Sequence, residues 1–182
     1  MKDFEKDVER ILITEEEIRA RVQEIGNVIS KDYNEDNDVV AIGILKGASI
    51  FFADLVRAIK IPLIFDFMIV SSYGDSSISS GEVDIKKELE FDVHGKDVIL
   101  IEDIIDTGIT MSCVRKIMAG RGANSVKLAA LLDKPERRKV ELNIDYLGFT
   151  TPDEFLVGYG LDYAEKYRNL PYVGILKREI YE

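Results

Sequence analysis

The chain predicts an α/β architecture, a mainly parallel central sheet flanked by helices. The runs Val39-Val40-Ala41-Ile42-Gly43-Ile44-Leu45 and Val98-Ile99-Leu100-Ile101 are apolar without alternation, as strands buried on both faces are. Each is followed by a short turn of small or polar residues and then by a helical pattern, and strand and helix signals keep alternating along the chain.

In order, Thr14-Glu15-Glu16-Glu17 reads as a capping box, and Ile18, Val22, Ile25 and Ile29 follow at helical spacing, which predicts an amphipathic helix over 14–31. The strand at 39–45 leads through Lys46-Gly47-Ala48-Ser49 into a helix beginning near Ile50. A strand is expected at 63–70. Residues 71–81 are too rich in Ser and Gly to pack as core and predict a mobile loop on the ligand side of the sheet, a lid extending to about residue 87. His94, the only histidine, falls in a polar turn before the strand 98–102. Further strands are expected at 126–132 and 144–149, and residues 170–176 are expected to return as a strand.

With 182 residues, 46% of them hydrophobic, the chain can fill one core, and a single domain over 1–182 is the expectation. A net charge of −10 argues against a broad phosphate-backbone surface, so no nucleic-acid partner is expected. The only basic cluster is Lys134-Pro135-Glu136-Arg137-Arg138-Lys139, and it is short. The lone Cys113 cannot form an internal disulfide and reads as a buried thiol on a helix, which suits a cytoplasmic setting. No apolar signal core and no membrane-spanning run is present, so no membrane association is expected. One histidine and one cysteine leave a His-dependent triad and a zinc site without residues.

The chemistry concentrates where the strand Val98–Ile101 runs into Glu102-Asp103-Ile104-Ile105-Asp106-Thr107-Gly108-Ile109-Thr110. A hydroxyl-rich turn opening a helix offers backbone amides to a phosphate, and the acids before it suit a diol or Mg²⁺. A buried strand ending in a solvated acidic loop has the same residue types. No Gly-x-x-x-x-Gly-Lys-Ser/Thr and no strand-linked Gly-x-Gly-x-x-Gly occurs, which weakens nucleotide-hydrolase and dinucleotide readings.

This stretch resembles the signature of the type I phosphoribosyltransferases. Three more blocks extend the likeness over most of the chain: Leu45-Lys46-Gly47, Ser71-Ser72-Tyr73-Gly74, and the tail from Leu132-Asp133-Lys134-Pro135 through Phe155-Leu156-Val157-Gly158-Tyr159-Gly160-Leu161-Asp162-Tyr163 to Tyr167-Arg168-Asn169-Leu170-Pro171. Together they narrow it to the bacterial-type hypoxanthine-guanine phosphoribosyltransferases. The resemblance implies Mg²⁺-dependent purine salvage: transfer of 5-phosphoribose from phosphoribosyl pyrophosphate to a 6-oxopurine base, with release of pyrophosphate. It also implies a small hood over the base pocket, formed by the terminal segments, and a homodimer or homotetramer.

The family pattern assigns roles to residues. Lys46, Gly47, Glu102, Asp103, Asp106, Thr107, Gly108, Ile109, Thr110 and Arg168 would bind phosphoribosyl pyrophosphate, with the Leu45–Lys46 peptide cis. Asp162 would ligate Mg²⁺ directly, and Glu102 and Asp103 would hold the ribose hydroxyls near a metal without needing to ligate it. Lys134, Phe155 and Leu156 would bind the purine within a C-terminal segment of about 150–182. Ser72 and Tyr73 would lie in the lid, and Asp106 would be the catalytic proton acceptor. By residue type alone, Asp106 serves equally as a helix cap, Lys134 as an exposed cation, and Asp162 and Arg168 as surface residues. A non-catalytic regulator that senses phosphoribosyl pyrophosphate and binds RNA or DNA is the rival from another class. A xanthine-preferring or pyrimidine-specific transferase is the rival among enzymes.

Overall fold

The computed structural model describes residues 3–72 and 83–182. After a 3-10 turn come β1 (Val8–Ile13), α1 (Glu15–Asp32), β2 (Val39–Leu45), α2 (Ser49–Ala58), β3 (Ile64–Ser72), β4 (Val83–Lys87), β5 (Asp97–Ile105), α3 (Ile109–Gly120), β6 (Ser125–Asp133), β7 (Tyr146–Thr150), β8 (Leu156–Val157), β9 (Val173–Leu176) and α4 (Arg178–Tyr181). Six strands form the main sheet in the order β4-β3-β2-β5-β6-β7. Every pairing in it is parallel except β3 with β4.

The unbroken apolar runs have a direct cause. Along β2 and β5 successive side chains point to opposite faces, and both faces are covered. Val39, Ala41, Ile99 and Ile101 pack with Ile18, Val22, Phe51 and Leu55 of α1 and α2. Val40, Ile42, Val98 and Leu100 pack on the other side with Met111, Val114 and Met118 of α3. The capping box of α1 forms as the sequence predicts: the Thr14 hydroxyl accepts from the Glu17 amide at 3.3 Å, and Glu17 Oε2 accepts from the Thr14 amide at 2.8 Å.

A second, three-stranded antiparallel sheet, ordered β1-β9-β8, joins the two ends of the chain. Its strands surround Val157, Leu170 and Leu176, with Phe155 and Tyr181 packed at the edge. The N-terminal strand has no clear signal of its own, because Ile11 is 50% exposed and β1 is held by pairing with β9 across almost the whole sequence.

Several boundaries differ from the sequence reading. The strand expected at 98–102 runs to Ile105, so both acids lie within it. The strand expected at 144–149 is Tyr146–Thr150. At the edges of the expected lid, Ser71 and Ser72 end β3 and 83–87 form β4, with Ser71 opposite Asp84, so these residues are ladder and not loop. Tyr73 and the rest of the lid to residue 82 fall outside the described residues. Cys113 is half-buried, and His94 sits exposed in a turn as expected.

Candidate functional site

Two clefts open at the carboxyl end of the main sheet, as expected for an open α/β fold. One, of about 330 Å³, is lined by Leu45, Gly47, Glu102, Asp103, Asp106, Thr107, Gly108, Thr110, Asp162 and Arg168, among others. The other, of about 290 Å³, is lined by Lys134, Arg137, Phe155, Leu156 and Leu161. Asp103, Ile104, Asp106 and Asp162 belong to both walls. Two ligands could therefore meet across these residues. A larger cavity of about 580 Å³ lies elsewhere, between α1, α2 and residues 169–171, away from the acids.

Glu102 and Asp103 are carried to the cleft by the end of β5. Burial raises the Glu102 pKa well above the carboxylate range, and repulsion from Asp103 raises it further. Its Oε2 is buried with no hydrogen-bond partner. Burial pushes Asp103 up to about 6, despite a bond of 2.8 Å from the Ile104 amide and the field of Arg168. A pair of acids this short of donors is an incomplete binding site, because buried carboxylates are normally satisfied.

Gly47 lies directly against this pair: a Cβ there would fall 1.7 Å from Asp103 Oδ2. Close approach, more than turn freedom, requires the glycine. The peptide before it, Leu45–Lys46, is cis. Gly160, with φ +103°, packs in turn on Gly47, where a Cβ would lie 2.1 Å from the Gly47 carbonyl oxygen. Three segments distant in sequence thus close on one point.

From the third segment, Arg168 pairs with Asp162 Oδ1 at 2.8 Å and donates to the Gly160 carbonyl at 2.7 Å. Its buried Nε has no partner. Asp162 Oδ2 accepts from the Glu165 amide at 2.9 Å. Lys46 is exposed, with Nζ 3.1 Å from Glu165 Oε2.

The turn at 106–110 enters α3 through Gly108, at φ +79°, with no side-chain cap. Asp106 therefore does not cap the helix, and it instead faces Arg137 Nε at 3.1 Å. Thr107 accepts from the Ile109 amide at 3.4 Å, and Ile109 itself lines neither cleft. Behind the turn, Arg138 pairs with Asp133 and packs on Gly108, while the Lys139 amide donates to the Thr107 carbonyl at 2.9 Å.

In the second cleft, Lys134 is only 6% exposed, which corrects its reading as one more cation of an exposed basic loop. Its Nζ donates to the Glu154 carbonyl at 2.6 Å and lies 3.7 Å from Asp153. Phe155 is stacked on Tyr181 at 4.8 Å between centroids and meets the edge of Tyr163 at 5.5 Å. Leu156 is buried in β8. Ser72 ends β3.

The structure thus gathers Gly47, Glu102, Asp103, Asp106, Thr107, Gly108, Thr110, Asp162 and Arg168 around one cleft, and Lys134, Phe155 and Leu156 around its neighbour. The sequence reading did not single out Gly160, Glu165, Arg137 or Arg138. Nothing in a lone Arg or Glu distinguishes a site residue from a solvated one, although the glycines flanking Tyr159 were a usable signal of close backbone approach. Among the described residues no three His, Cys, Asp or Glu side chains converge as a self-sufficient metal cage. The donors present are all oxygen, and Glu102 Oε2 is buried without a hydrogen bond. That set suits Mg²⁺ shared with a ligand's own oxygens.

A fold with this topology, these buried acids and this phosphate-type turn defines a phosphoribosyltransferase, and the phosphoribosyl transferase domain pattern matches residues 14–164. Within that class the chain belongs to the bacterial-type hypoxanthine-guanine phosphoribosyltransferase family. It is 52% identical over 176 residues to the hypoxanthine-guanine phosphoribosyltransferase of Bacillus subtilis (strain 168), covering 97% of each chain. The protein of that name in Streptococcus thermophilus (strain CNRZ 1066) is 50% identical over 178 residues, with 98% of each covered. The crystal structure of a hypoxanthine phosphoribosyltransferase from Staphylococcus aureus superposes with a TM-score of 0.94 at 46% identity, covering 98% of this chain and 97% of that one.

Proposed function

We propose that this protein transfers 5-phosphoribose from phosphoribosyl pyrophosphate to hypoxanthine or guanine, forming IMP or GMP and releasing pyrophosphate. The observation that carries the reading is the pair of abutting clefts whose common wall is Asp103, Ile104, Asp106 and Asp162. A sugar held over Glu102 and Asp103 would present its anomeric carbon to a base held by Lys134 and Phe155.

The diol of the ribose supplies the two acids with the donors they lack, which favours their ionised form. Thr107, Gly108, Ile109 and Thr110 offer amides and hydroxyls to the 5′-phosphate at the start of α3. The loop at Lys46 and Gly47 together with Arg168 receives pyrophosphate, Arg168 through a fixed fork of donors. Asp162 would hold Mg²⁺ together with pyrophosphate oxygens, with Glu102 and Asp103 near it. Bound there, the ion would supply charge stabilisation for the departing pyrophosphate. Tyr73, in the lid segment, and Ser72, at the end of β3 where that segment begins, would help exclude water as the oxocarbenium-like sugar forms.

Lys134 carries donors only, so it matches the carbonyl at purine position 6 and leaves the amino group of adenine unmatched. A mismatched pair in a buried pocket costs ~1–3 kcal/mol, enough to reject adenine substantially. Phe155, backed by Tyr181, stacks on the purine plane, and the backbone at Leu156 meets the edge of the base. Asp106 takes the proton that the base loses as its ring nitrogen attacks. We place the enzyme in the cytoplasm as a homodimer or homotetramer, to be checked by light scattering. No described helix is long and apolar enough to cross a membrane.

The test is incubation with phosphoribosyl pyrophosphate, Mg²⁺ and, separately, hypoxanthine, guanine, xanthine, adenine and uracil, with nucleotide products resolved by chromatography. IMP and GMP, without AMP, are expected. No nucleotide from any base while phosphoribosyl pyrophosphate still binds would move the assignment to the regulator.

A further inference from the structure

In this structure Lys46 and Arg168, the cations that face pyrophosphate in the proposed reaction, are already joined by one carboxylate oxygen. Glu165 Oε2 lies 3.1 Å from Lys46 Nζ and 3.5 Å from Arg168 Nη2. A single acceptor between two cations of separate loops is the arrangement that a phosphate oxygen would adopt there. We propose that Glu165 is an internal stand-in for pyrophosphate: its carboxylate takes the anion seat between Lys46 and Arg168, leaves when phosphoribosyl pyrophosphate binds, and returns as pyrophosphate departs. The inference rests on the assignment of those two cations to pyrophosphate.

The backbone around Glu165 supports a role beyond chance contact. Ala164, Glu165 and Tyr167 have φ of 49°, 62° and 74°, left-handed values that non-glycine residues rarely adopt. Such conformations persist where surrounding contacts impose them, and they cluster at ligand clamps and switches. Here the contacts are the Tyr163–Lys166 bridge and the Glu165 amide donating to Asp162 Oδ2 at 2.9 Å. The turn is thus tied by its own backbone to Asp162, while the Glu165 side chain remains 65% exposed. It can swing away without opening a cavity.

Its exposure also sets the scale of the effect. Ion pairs at exposed positions are screened and weak, so the carboxylate competes with pyrophosphate without blocking it. A stand-in of this strength would quicken product release and keep two nearby cations from repelling each other in the empty site.

The experiment measures binding of inorganic pyrophosphate with Mg²⁺, by calorimetry and by competition against phosphoribosyl pyrophosphate, for the wild type and for Glu165→Gln, Glu165→Asp and Arg168→Ala. Removing the competing anion in Glu165→Gln should tighten pyrophosphate roughly two- to fivefold and lower KM for phosphoribosyl pyrophosphate similarly, leaving KM for hypoxanthine unchanged. Glu165→Asp, which keeps the charge but is one methylene too short to bridge both cations, should tighten it as well. Unchanged or weaker pyrophosphate binding in Glu165→Gln, with binding lost in Arg168→Ala, overturns the stand-in and leaves the cleft assignment standing. Tightening by Gln but not by Asp reduces Glu165 to a general negative field and also overturns it. Wild-type pyrophosphate binding in Arg168→Ala removes the cation assignment and the stand-in with it.

Discussion

Two aspartates on β5 are almost equally buried and behave in opposite ways. Asp97, at the start of the strand, is 7% exposed, and Asp103, near its end, is 9% exposed. Burial works to raise both. At Asp97 it is outweighed by donors from Ser125 at 2.6 Å, Asn124 at 2.8 Å and Asn37 at 3.2 Å, which hold the carboxyl below its ordinary value. Asp103 has only local amides, the neighbouring Glu102 carboxyl and the field of Arg168, and burial pushes it up to about 6. The first acid is finished by the protein, and the second is left for a ligand to finish. Burial therefore does not separate a structural acid from a functional one, whereas the tally of its donors does.

The third acid at that end, Asp106, offers the largest test. Asp106→Asn should lower turnover ~10²–10⁴-fold while phosphoribosyl pyrophosphate binding stays close to wild type, read by steady-state kinetics beside calorimetry. Unchanged turnover would remove it as the proton acceptor.

Next in size is the structural end of the strand. Asp97→Ala strands three donors and should destabilise the fold by about 2–4 kcal/mol, read as a drop in Tm, with kcat/KM per folded molecule unchanged. If the activity of the folded fraction falls instead, the separation of the two ends is wrong.

At the functional end the signs reverse. Glu102→Gln removes a buried, repelled carboxyl, so Tm of the ligand-free protein should rise by a few degrees at pH 7.5. In the same variant kcat/KM for phosphoribosyl pyrophosphate should fall roughly 10- to 100-fold, since bonds to a charged acceptor are worth about 1.5–3 kcal/mol. A Tm decrease would show that Glu102 is satisfied in solution.

The same contrast has a pH signature. An acid whose folded pKa is raised retains its proton in the folded state at a pH where the unfolded chain has lost it. The contribution of Asp103 to ligand-free stability should therefore decline as pH rises from the ordinary carboxylate range, near 4, through about 6, and then level off. Asp97 has a lowered pKa, so its contribution is present at neutral pH and is lost as pH falls through its folded value. Thermal melts across pH 4 to 8, with and without Asp103→Asn, cover the Asp103 window, the Asp97 window lying below it, and a flat difference between wild type and variant would contradict the assignment.

The smallest expected effect is in the base cleft, where Phe155 is supported behind by Tyr181. Tyr181→Ala should raise KM for hypoxanthine about two- to tenfold, as expected for loss of an aromatic pair worth about 0.5–1.5 kcal/mol, with Tyr181→Phe restoring it. Equal KM values in the alanine and wild-type proteins would show that Phe155 holds its place unaided.

Much of the fold was legible because its signals are local. Val39–Leu45 and the apolar start of β5 lie between two helical layers, so burial on both faces leaves no polar positions in the run. Thr14 and Glu17 announce the start of α1 within four residues. β1 was not legible, since half-exposed Val-Glu-Arg-Ile-Leu-Ile becomes a strand only by pairing with β9. The edges of the expected lid were misjudged for a related reason: the polar residues of β3 and β4 are held by ladder hydrogen bonds, which composition does not report.

The sequence by itself determined which residues could take part in chemistry, because residue type and motif order are written in it: the acids of Glu102-Asp103, the turn Asp106 to Thr110, and the separated Lys134, Asp162 and Arg168. Tertiary structure alone decided what state they are in. Only the fold sets Gly47 against Asp103 and Gly160 against Gly47, gives Asp97 three donors while leaving Glu102 Oε2 without one, and turns Lys134 inward. Charge state and hydrogen-bond satisfaction depend on neighbours within a few ångströms, and in this chain those neighbours come from segments well separated in sequence, from 20 residues apart for Lys134 and Glu154 to 119 for Lys46 and Glu165.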